Sequence, residues 1–418
     1  MKSMKKLVLV GLVLLASVMV LAGCKNDSVP EVTPAKLVSI TATPPTRTVY
    51  SVGESFDSTG MVVTAKYDDG MERQVEGKIT SDTSTLTDTA GINKSVTVSY
   101  TEGEITKQSS FTVVVFPEGV QVLTNYKSPN NTDDSWTYVA FGEWPQSEAK
   151  DVEEDSLKLV DGGRGYFNNN YYKDDNDNYY VKHNDSYYKV EPIVWRVLNK
   201  DYSDTGKALL LAEKILTGGI PYYVNTSSRT IGSATVYANN YKYSTIRAWL
   251  NGSYETDDTQ EKNYEGKGFL QTAFTEKALE FIVDTTVDNS ARSTNPDSNE
   301  SQWNSGDNKY ASETNTTDKI FLLSEQEATT KDYGFVEYNE YGEGNTRIRV
   351  TTDYAQATGA YQNSTDGYGG WWWLRSPFYC DEIGARDVLN VGNASISNYV
   401  NSILVGVVPA LSISMNGN

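Results

Sequence analysis

Tryptophan is distributed unevenly along this chain, and that unevenness constrains the fold more than any other feature. All eight tryptophans of the 418-residue sequence lie at or beyond Trp136. A chain of this length is too long for a typical single domain and fits two. We therefore expect two folded units with different cores. Tyrosine, with 29 residues against 11 phenylalanines, favours β or mixed folds with long loops over a helical bundle.

The charged and reactive residues exclude several classes of function. The formal net charge is −19, so nucleic acid is not an expected partner, because phosphate binding needs clustered Lys and Arg. The sequence has two cysteines, Cys24 and Cys380, and one histidine, His183. This inventory does not support a disulfide framework, the usual zinc sites or Ser-His-Asp and Cys-His catalysis. We predict no metal, no cofactor and no catalytic residues, and place His183 in a solvated loop.

The first 24 residues have the pattern of a targeting segment. Three lysines precede an apolar run at residues 7–21, which has signal-peptide length and is short for a membrane span. The run ends at Leu21-Ala22-Gly23-Cys24, which resembles the bacterial lipobox. The resemblance implies a signal peptide at 1–23, a diacylglyceryl group on Cys24, a tether at 24–36 and a surface-exposed location in the cell envelope. An uncleaved signal anchor with an incidental cysteine is the alternative.

Residues 37–116 show short β-rich segments separated by turns. Strand-like runs at 61–65 and 111–115 are combined with turn strings such as Asp68-Asp69-Gly70, at the spacing of a β-sandwich. The segment resembles the bacterial Ig-like domains of group 3, and the strings that carry the resemblance lie at 45–50, 53–57, 60–63 and 67–70. The resemblance implies an all-β sandwich that acts as a spacer. Ligand binding by this domain is the alternative.

Residues 117–135 are polar and are interpreted as a linker to a second unit at 136–418. Early in that unit, tyrosine pairs recur every eight residues and predict a β-meander with tight turns: Tyr171-Tyr172, Tyr179-Tyr180 and Tyr187-Tyr188. The intervening string Asp174-x-Asn176-x-Asn178 superficially resembles a calcium-binding EF-hand loop. Tyrosine stands where that loop requires glycine, so we predict a hairpin turn there.

Three later segments have helical signals. Residues 244–250 place Ile246, Trp249 and Leu250 on one helical face. Residues 274–282 form a second candidate helix with Thr275 as the N-cap. A buried strand at 320–323 is followed by Ser324-x-x-Glu327, a capping box that predicts a short helix. Residues 284–318 are interpreted as a long polar loop region.

The order of these pieces resembles one recurrent bacterial domain of unassigned function, which also occurs in Treponema variable proteins and has the C-type lectin fold. Its most specific string here is Trp372-Trp373-Leu374-Arg375-Ser376-Pro377, and other matching strings lie at 141–146, 195–198, 244–251, 321–324, 333–335, 352–355 and 406–411. Val408 stands where the family usually has arginine. The resemblance implies an α+β C-type lectin-like domain, of the fold shared with formylglycine-generating enzymes.

In that family the diversified positions lie between the Trp-Trp-Leu-Arg-Ser-Pro string and the terminal strand, which corresponds to residues 378–403 here. The segment is rich in Tyr, Asn and Ser, which are typical of adaptable binding surfaces. Mutagenesis directed at adenines would also turn Asn codons into Tyr, Ser, Asp, Ile, Phe or Cys codons. We predict ligand contacts from thirteen residues: Phe378, Tyr379, Cys380, Asp381, Glu382, Ile383, Asn390, Asn393, Ser395, Ser397, Asn398, Tyr399 and Asn401.

The aromatic run Trp371-Trp372-Trp373 has two interpretations. It could form a sugar-stacking platform, but the adjacent strand-like sequence and the family resemblance favour core packing for Trp372 and Trp373. Trp371 is the one expected to be exposed and is a possible ligand contact. For Arg375 we favour a structural ion pair over contact with ligand.

The leading functional hypothesis is a lipid-anchored receptor or adhesin that binds a protein or glycan through its lectin-like domain, with the Ig-like domain as a stalk. A structural envelope lipoprotein without a specific ligand is the main alternative. An enzyme of the formylglycine-generating type is disfavoured because that activity depends on a cysteine pair. A calcium-dependent sugar lectin is disfavoured because the nearest string, Glu191-Pro192-Ile193, has an isoleucine that cannot bind Ca²⁺.

Overall fold

The structure is a computed structural model. It describes residues 34–130, 136–255, 262–295, 308–312, 314–338, 340–342, 344–363, 369–394 and 396–416. The predicted signal peptide, the lipidation site Cys24, residues 24–33 of the predicted tether and the predicted ligand residue Ser395 lie outside the described residues.

The first unit is a two-layer β-sandwich, as the sequence predicts. Its strands are β1 (Leu37–Thr43), β2 (Val49–Ser51), β3 (Val62–Tyr67), β4 (Glu72–Val75), β5 (Lys78–Ile79), β6 (Gly91–Glu102) and β7 (Ile105–Phe116). One sheet has the order β1-β3-β4 and the other β2-β7-β6-β5, in which β2 runs parallel to β7. Strand β1 ends directly before Pro44-Pro45, since proline cannot donate to a ladder.

Alternating side chains of both sheets fill the sandwich core. Ala65, Val96 and Val98 are fully buried, and polar neighbours on the same strands face outward. Tyr50 is also fully buried, and its hydroxyl donates to the Arg47 carbonyl at 3.0 Å. A buried phenol needs such a partner, and this bond fixes the entry to β2.

The described part of the predicted linker makes defined contacts with both units. Phe116, Val120 and Val122 are buried in the core of the second unit. The Val122 N–H donates to the Ser51 hydroxyl of the sandwich at 2.8 Å, and Glu118 pairs with Lys277 at 2.7 Å. The two units therefore meet at a packed junction.

The second unit is mostly β. Its strands are β8 (Gln121–Val122), β9 (Tyr138–Glu148), β10 (Lys158–Leu159), β11 (Tyr171–Lys173), β12 (Tyr179–His183), β13 (Ser186–Asn199), β14 (Lys207–Ala212), β15 (Arg229–Ile231), β16 (Ala234–Val236), β17 (Tyr254–Glu255), β18 (Lys262–Asn263), β19 (Thr285–Val287), β20 (Thr316–Asp318), β21 (Ile320–Phe321), β22 (Trp372–Pro377), β23 (Gly384–Val388), β24 (Ile396–Tyr399) and β25 (Ala410–Ser414). Its α-helices are α1 (Thr245–Asn251), α2 (Phe269–Ala273), α3 (Glu276–Leu279) and α4 (Asp353–Ala357).

A nine-stranded sheet organises this unit. It runs in the order β10-β11-β12-β13-β14-β25-β21, and β9 pairs with β13 and with β8. The antiparallel strands β11, β12 and β13 confirm the tyrosine meander. The Asp174 string is a hairpin turn, as predicted, in which the Asp174 carboxylate accepts the N–H groups of Asn176 and Asn178, each at 2.9 Å. The prediction for His183 was wrong, because this residue ends β12, is half-buried and contacts the Tyr354 ring.

The first predicted helix is confirmed in position and length as α1, and the second is confirmed in position but is shorter, as α3. Thr275 caps α3 by accepting a backbone N–H bond, as predicted. Ser244, predicted to lie inside the helix, caps α1 in the same way. Helix α3 ends at Leu279 because the chain turns back to the sheet, where Ile282 forms a bridge with Ile413. The capping box of Ser324 and Glu327 forms reciprocally at 2.9 and 3.1 Å, but it begins a single 3₁₀ turn, Glu327–Thr329. The polar region 284–318 includes the paired strands β19 and β20.

Tryptophan dominates the core of this unit. Five tryptophans are essentially fully buried there: Trp144, Trp195, Trp249, Trp372 and Trp373. The core roles predicted for Trp372 and Trp373 are thus confirmed. Trp371 is half-buried, the most accessible of its run, and its ring stacks on Tyr361 at 4.2 Å between centroids. The structural ion pair of Arg375 is also confirmed, because its buried guanidinium pairs with Glu327.

A buried charge cluster lies beside the main sheet. The Glu213 carboxylate accepts two hydrogen bonds from Arg196 at 2.8 and 3.0 Å, and both side chains are 0% exposed. It also accepts from the Ser128 hydroxyl, and from Asn130 Nδ2 at 2.8 Å. Burial acts to raise the pKa of Glu213, but Arg196 and the fully buried Arg349 outweigh it and hold that pKa below its ordinary value. The cluster holds two cations and one anion.

Candidate functional site

The predicted ligand segment folds around a three-stranded antiparallel sheet, β22-β23-β24. The loop 378–383 joins β22 to β23, and the segment after Tyr399 leads toward the main sheet. The outer side of β22 is covered, since Trp372 forms a bridge with Gly406. The small sheet is therefore attached to the core by β22 and extends outward to β24.

The predicted ligand residues that the structure describes are all exposed or half-buried. Nine are half-buried: Phe378, Tyr379, Asp381, Glu382, Ile383, Asn390, Asn393, Ser397 and Asn398. Three are exposed: Cys380, Tyr399 and Asn401. The same residues form two groups in space, at opposite ends of strand β23. The loop 378–383 and Tyr399 lie at its start, and Asn390 and Asn393 follow its end. Asn390 accepts from the Trp371 indole N–H at 3.3 Å, so Trp371 belongs to this second group.

A buried ion pair supports the loop 378–383 from below. Arg386 of β23 donates from Nε to the Glu325 carboxylate at 2.9 Å, and both side chains are buried. The Arg386 guanidinium also lies 5.0 Å from the Phe378 ring centroid and 5.6 Å from that of Tyr379. Because a paired guanidinium on an aromatic face resists displacement, this contact fixes the Phe378–Tyr379 corner.

Asn239 holds the same loop from another part of the chain. Its Nδ2 donates to the carbonyls of Asp381 at 2.9 Å and Gly384 at 2.8 Å, and its N–H donates to Glu382 at 3.1 Å. Gly384 permits the tight closure, since a Cβ there would lie 2.9 Å from the Asp381 carboxylate. Sequence reasoning missed Asn239, because no local pattern links it to a loop some 140 residues away.

A second buried carboxylate anchors β24. Asp387 is 0% exposed and accepts from Asn398 Nδ2 at 2.8 Å. Burial raises the pKa of Asp387 to about 7, although Asn398 and Arg386 oppose the shift. Burial likewise raises the pKa of Glu325 to about 7 against the effect of Arg386. Two buried acids therefore share one buried guanidinium beneath the candidate site.

The raised pKa of Asp387 predicts a pH-dependent stability. Between pH 4 and 7 the folded state binds more protons at this residue than the unfolded state, so its contribution to stability falls as pH rises through that window. We expect Asp387→Asn to raise the free energy of unfolding at pH 8, and to change it little at pH 5. Chemical denaturation at both pH values measures this. Asp175→Asn, at an 81% exposed side chain, is the control. A gain that is equal at both pH values would contradict the prediction.

Exposed apolar side chains surround β24. Ile396 is 39% exposed, Tyr399 65%, Ile403 54% and Leu404 49%. Sequence reasoning included Tyr399 and missed the three aliphatic residues, because the search favoured polar and aromatic types. The sequence signal that could have found them is the cluster of large apolar residues at 396–404. In the structure, β24 lacks the continuous burial of β22 and β23. Together, Ile396, Ser397, Tyr399, Ile403 and Leu404 are called the β24 face below, a name for surface positions on and just after this strand, whose successive side chains point to opposite sides of the sheet.

A separate cleft of about 240 Å³ lies in the second unit, where the start of the linker at Glu118 and Gly119 forms one wall. Phe141, Ala273 and Phe281 contribute to its wall. Its charged groups are paired, Arg164 with Glu143 at 2.8 Å and Lys277 with Glu118 at 2.7 Å. Among the described residues, no three His, Cys, Asp or Glu side chains come together as a metal site.

Two family matches agree with this architecture. The bacterial Ig-like domain (group 3) matches residues 43–115, which confirms the resemblance of the first unit. A domain of unknown function, DUF6273, matches residues 205–415. The fold and the matches thus define an Ig-like domain followed by a mostly β domain that carries the β24 face.

The second match spans half of the chain, and the chain belongs to the DUF6273 family. The matched region begins inside the second unit, since β9 to β13 precede it and belong to the same sheet as β14 and β25. No curated protein matches the chain. Within the described residues, none of the helices is long and apolar enough to cross a membrane.

Proposed function

We propose that this chain is a lipid-anchored protein of the bacterial cell surface, a receptor or adhesin, that binds a protein or glycan through its second unit. The binding surface consists of the loop 378–383 and the β24 face. The observation that supports this most directly is the contrast between exposed and buried side chains within residues 386–403. Exposed Tyr399 and Ile403 stand beside fully buried Asp387 and nearly fully buried Arg386. A rigid support under an exposed, partly aromatic surface is what recognition requires.

We further propose that the second unit has a C-type lectin-like fold. Support comes from the strings of the resemblance. The string Trp372–Pro377 forms the buried strand β22, and Ala410-Leu411 lies in β25 of the main sheet. In such a fold a compact core bears long irregular loops, and function is specified by the loops rather than by the fold.

The Ig-like domain then acts as a stalk, and Cys24 as its lipid attachment. The packed junction at 116–122 supports the stalk role, because a shared core transmits orientation from one domain to the next. A mature surface with a strong negative charge would be repelled by anionic lipid headgroups, which would keep the second unit projecting outward.

Active diversification of the surface can be tested by deep sequencing of the last ~150 bases of the gene in a growing population, a length that covers residues 378–403 at three bases per residue. We expect substitutions at exposed and half-buried positions such as Cys380, Tyr399 and Asn401. We expect none at Trp372, Arg386 or Asp387, since those side chains are buried. Substitutions spread evenly over buried and exposed positions, or a clonal segment, would contradict diversification.

A further inference from the structure

We propose that the outer edge of β24 binds an extended, basic peptide segment of a partner protein, which adds as a fourth strand to the β22-β23-β24 sheet. This inference rests on the proposed binding function and specifies the kind of ligand. Strand addition supplies affinity through main-chain hydrogen bonds and specificity through alternate side chains.

The direction of the backbone bonds shows which groups of β24 face outward. The Val400 N–H donates to the Ile383 carbonyl at 2.9 Å, so in the antiparallel register Asn398 and Ile396 also direct their backbone toward β23. Ser397 and Tyr399 therefore direct their backbone groups away from the sheet. The Tyr399 carbonyl accepts from Ser402. In this register the N–H and C=O of Ser397 and the N–H of Tyr399 point away from β23 and take no part in the bonds between these two strands.

Among the residues that the structure describes, the sequence of this edge strand lacks the usual protection against pairing. Natural sheets protect exposed edges with lysine, proline, bulges or a covering element. The sequence of β24 is Ile-Ser-Asn-Tyr, without charge or proline, and its register with β23 is regular. Its flanking Ile396 and Tyr399 side chains are exposed, and Ile403 and Leu404 extend the apolar surface beyond the strand. An edge of this kind is suited to accept another strand.

The charge around the outer edge of β24 favours a basic peptide over a second copy of this chain as the added strand. The ionisable acids and bases of residues 378–404 are Asp381, Glu382, Arg386 and Asp387. Arg386 and Asp387 are buried, so the accessible charges of this segment are the acidic Asp381 and Glu382. The exposed Lys309 interacts with Glu382, and the local balance remains acidic. A peptide that alternates Lys or Arg with apolar residues matches both the charge and the apolar side chains. Two copies would bring these acids together and add two chains of net charge −19.

The test uses the full chain and a phage-displayed library of random twelve-residue peptides, followed by titration of one enriched synthetic peptide. Ser397→Pro removes the outward N–H, and proline is tolerated at a strand edge where the N–H faces solvent. We expect at least a tenfold loss of affinity for this variant. Ser397→Ala keeps the N–H and should therefore lose much less affinity than Ser397→Pro. The control Leu159→Ser, at a 57% exposed side chain on β10, should bind within twofold of wild type.

Several outcomes would overturn the proposal. These are no enriched peptide, equal binding by Ser397→Pro, or a wild-type dimer in sedimentation that Ser397→Pro converts to monomer. If Ser397→Pro does not fold, amide exchange of the wild type decides, because a bound peptide must slow exchange at Ser397 and Tyr399. Failure of strand addition can be distinguished from failure of the proposed function. A ligand whose binding depends on Ile403 but not on the Ser397 N–H would support the function and refute strand addition.

Discussion

Glu213→Ala is expected to lower the free energy of unfolding by about 3–5 kcal/mol, the usual cost of removing one partner of a buried ion pair. The carboxylate is 0% exposed and accepts two hydrogen bonds from Arg196. Without it, the guanidinium groups of Arg196 and Arg349 would stay charged and buried without an anion among their described neighbours. The Ser128 hydroxyl would lose its acceptor as well, and the Asn130 amide would keep only the Glu213 backbone carbonyl.

Two further variants show whether the loss of stability is specific to the buried charge of Glu213. Glu213→Gln retains an acceptor and removes the charge, so we expect an intermediate loss. Glu337→Ala removes a carboxylate from an exposed pair with Lys331, whose side chains are 50% and 64% exposed, and should change stability by less than about 0.5 kcal/mol. Equilibrium denaturation in urea measures all three. Equal effects at Glu213 and Glu337 would show that the buried cluster does not stabilise the fold.

Cys24→Ser is expected to release the protein from the membrane. The thiolate of this residue is the proposed site of thioether formation with the lipid, and serine cannot replace it. A clickable fatty acid fed to the producing cells should label wild type, and should leave the Cys24→Ser variant without label. Fractionation should move most of the variant from the membrane to the soluble fraction.

The control for this experiment is Cys380→Ser. Cys380 is the other cysteine of the sequence, and its thiol is free and exposed. Its replacement should change neither labelling nor fractionation. Loss of label in Cys380→Ser, or retention of the Cys24→Ser variant in the membrane with its label, would show that the anchor is elsewhere.

Local patterns predicted the elements that local physics determines. The tyrosine pairs at 171–188 gave a meander, because alternating side chains and tight turns act over a few residues. Thr275 was identified as a helix cap for the same reason. The length of α3 could not be predicted from its own sequence, since Ile282 is drawn into the main sheet by Ile413.

The sequence predicted which segment forms the candidate site, but not how its residues are arranged in space. The family resemblance delimited residues 378–403, and their composition indicated a binding surface. Most of the described members are exposed or half-buried. Composition did not show that β23 separates Tyr399 from Asn390, nor that Arg386 and Asp387 are buried beneath the surface. Those facts depend on Glu325 and Asn239, which are distant in sequence, so no local pattern contained them.

The proposed function requires that the β24 face binds a specific ligand. The most direct measurement is a screen of the labelled full chain against glycan and surface-protein arrays, with affinity then measured for two variants. Ile403→Ser changes a 54% exposed side chain of the face, and Leu159→Ser changes a 57% exposed side chain on β10. We predict a ligand that binds wild type and Leu159→Ser equally, and Ile403→Ser at least tenfold more weakly. A screen without a ligand, or a ligand bound equally by all three proteins, would contradict the account.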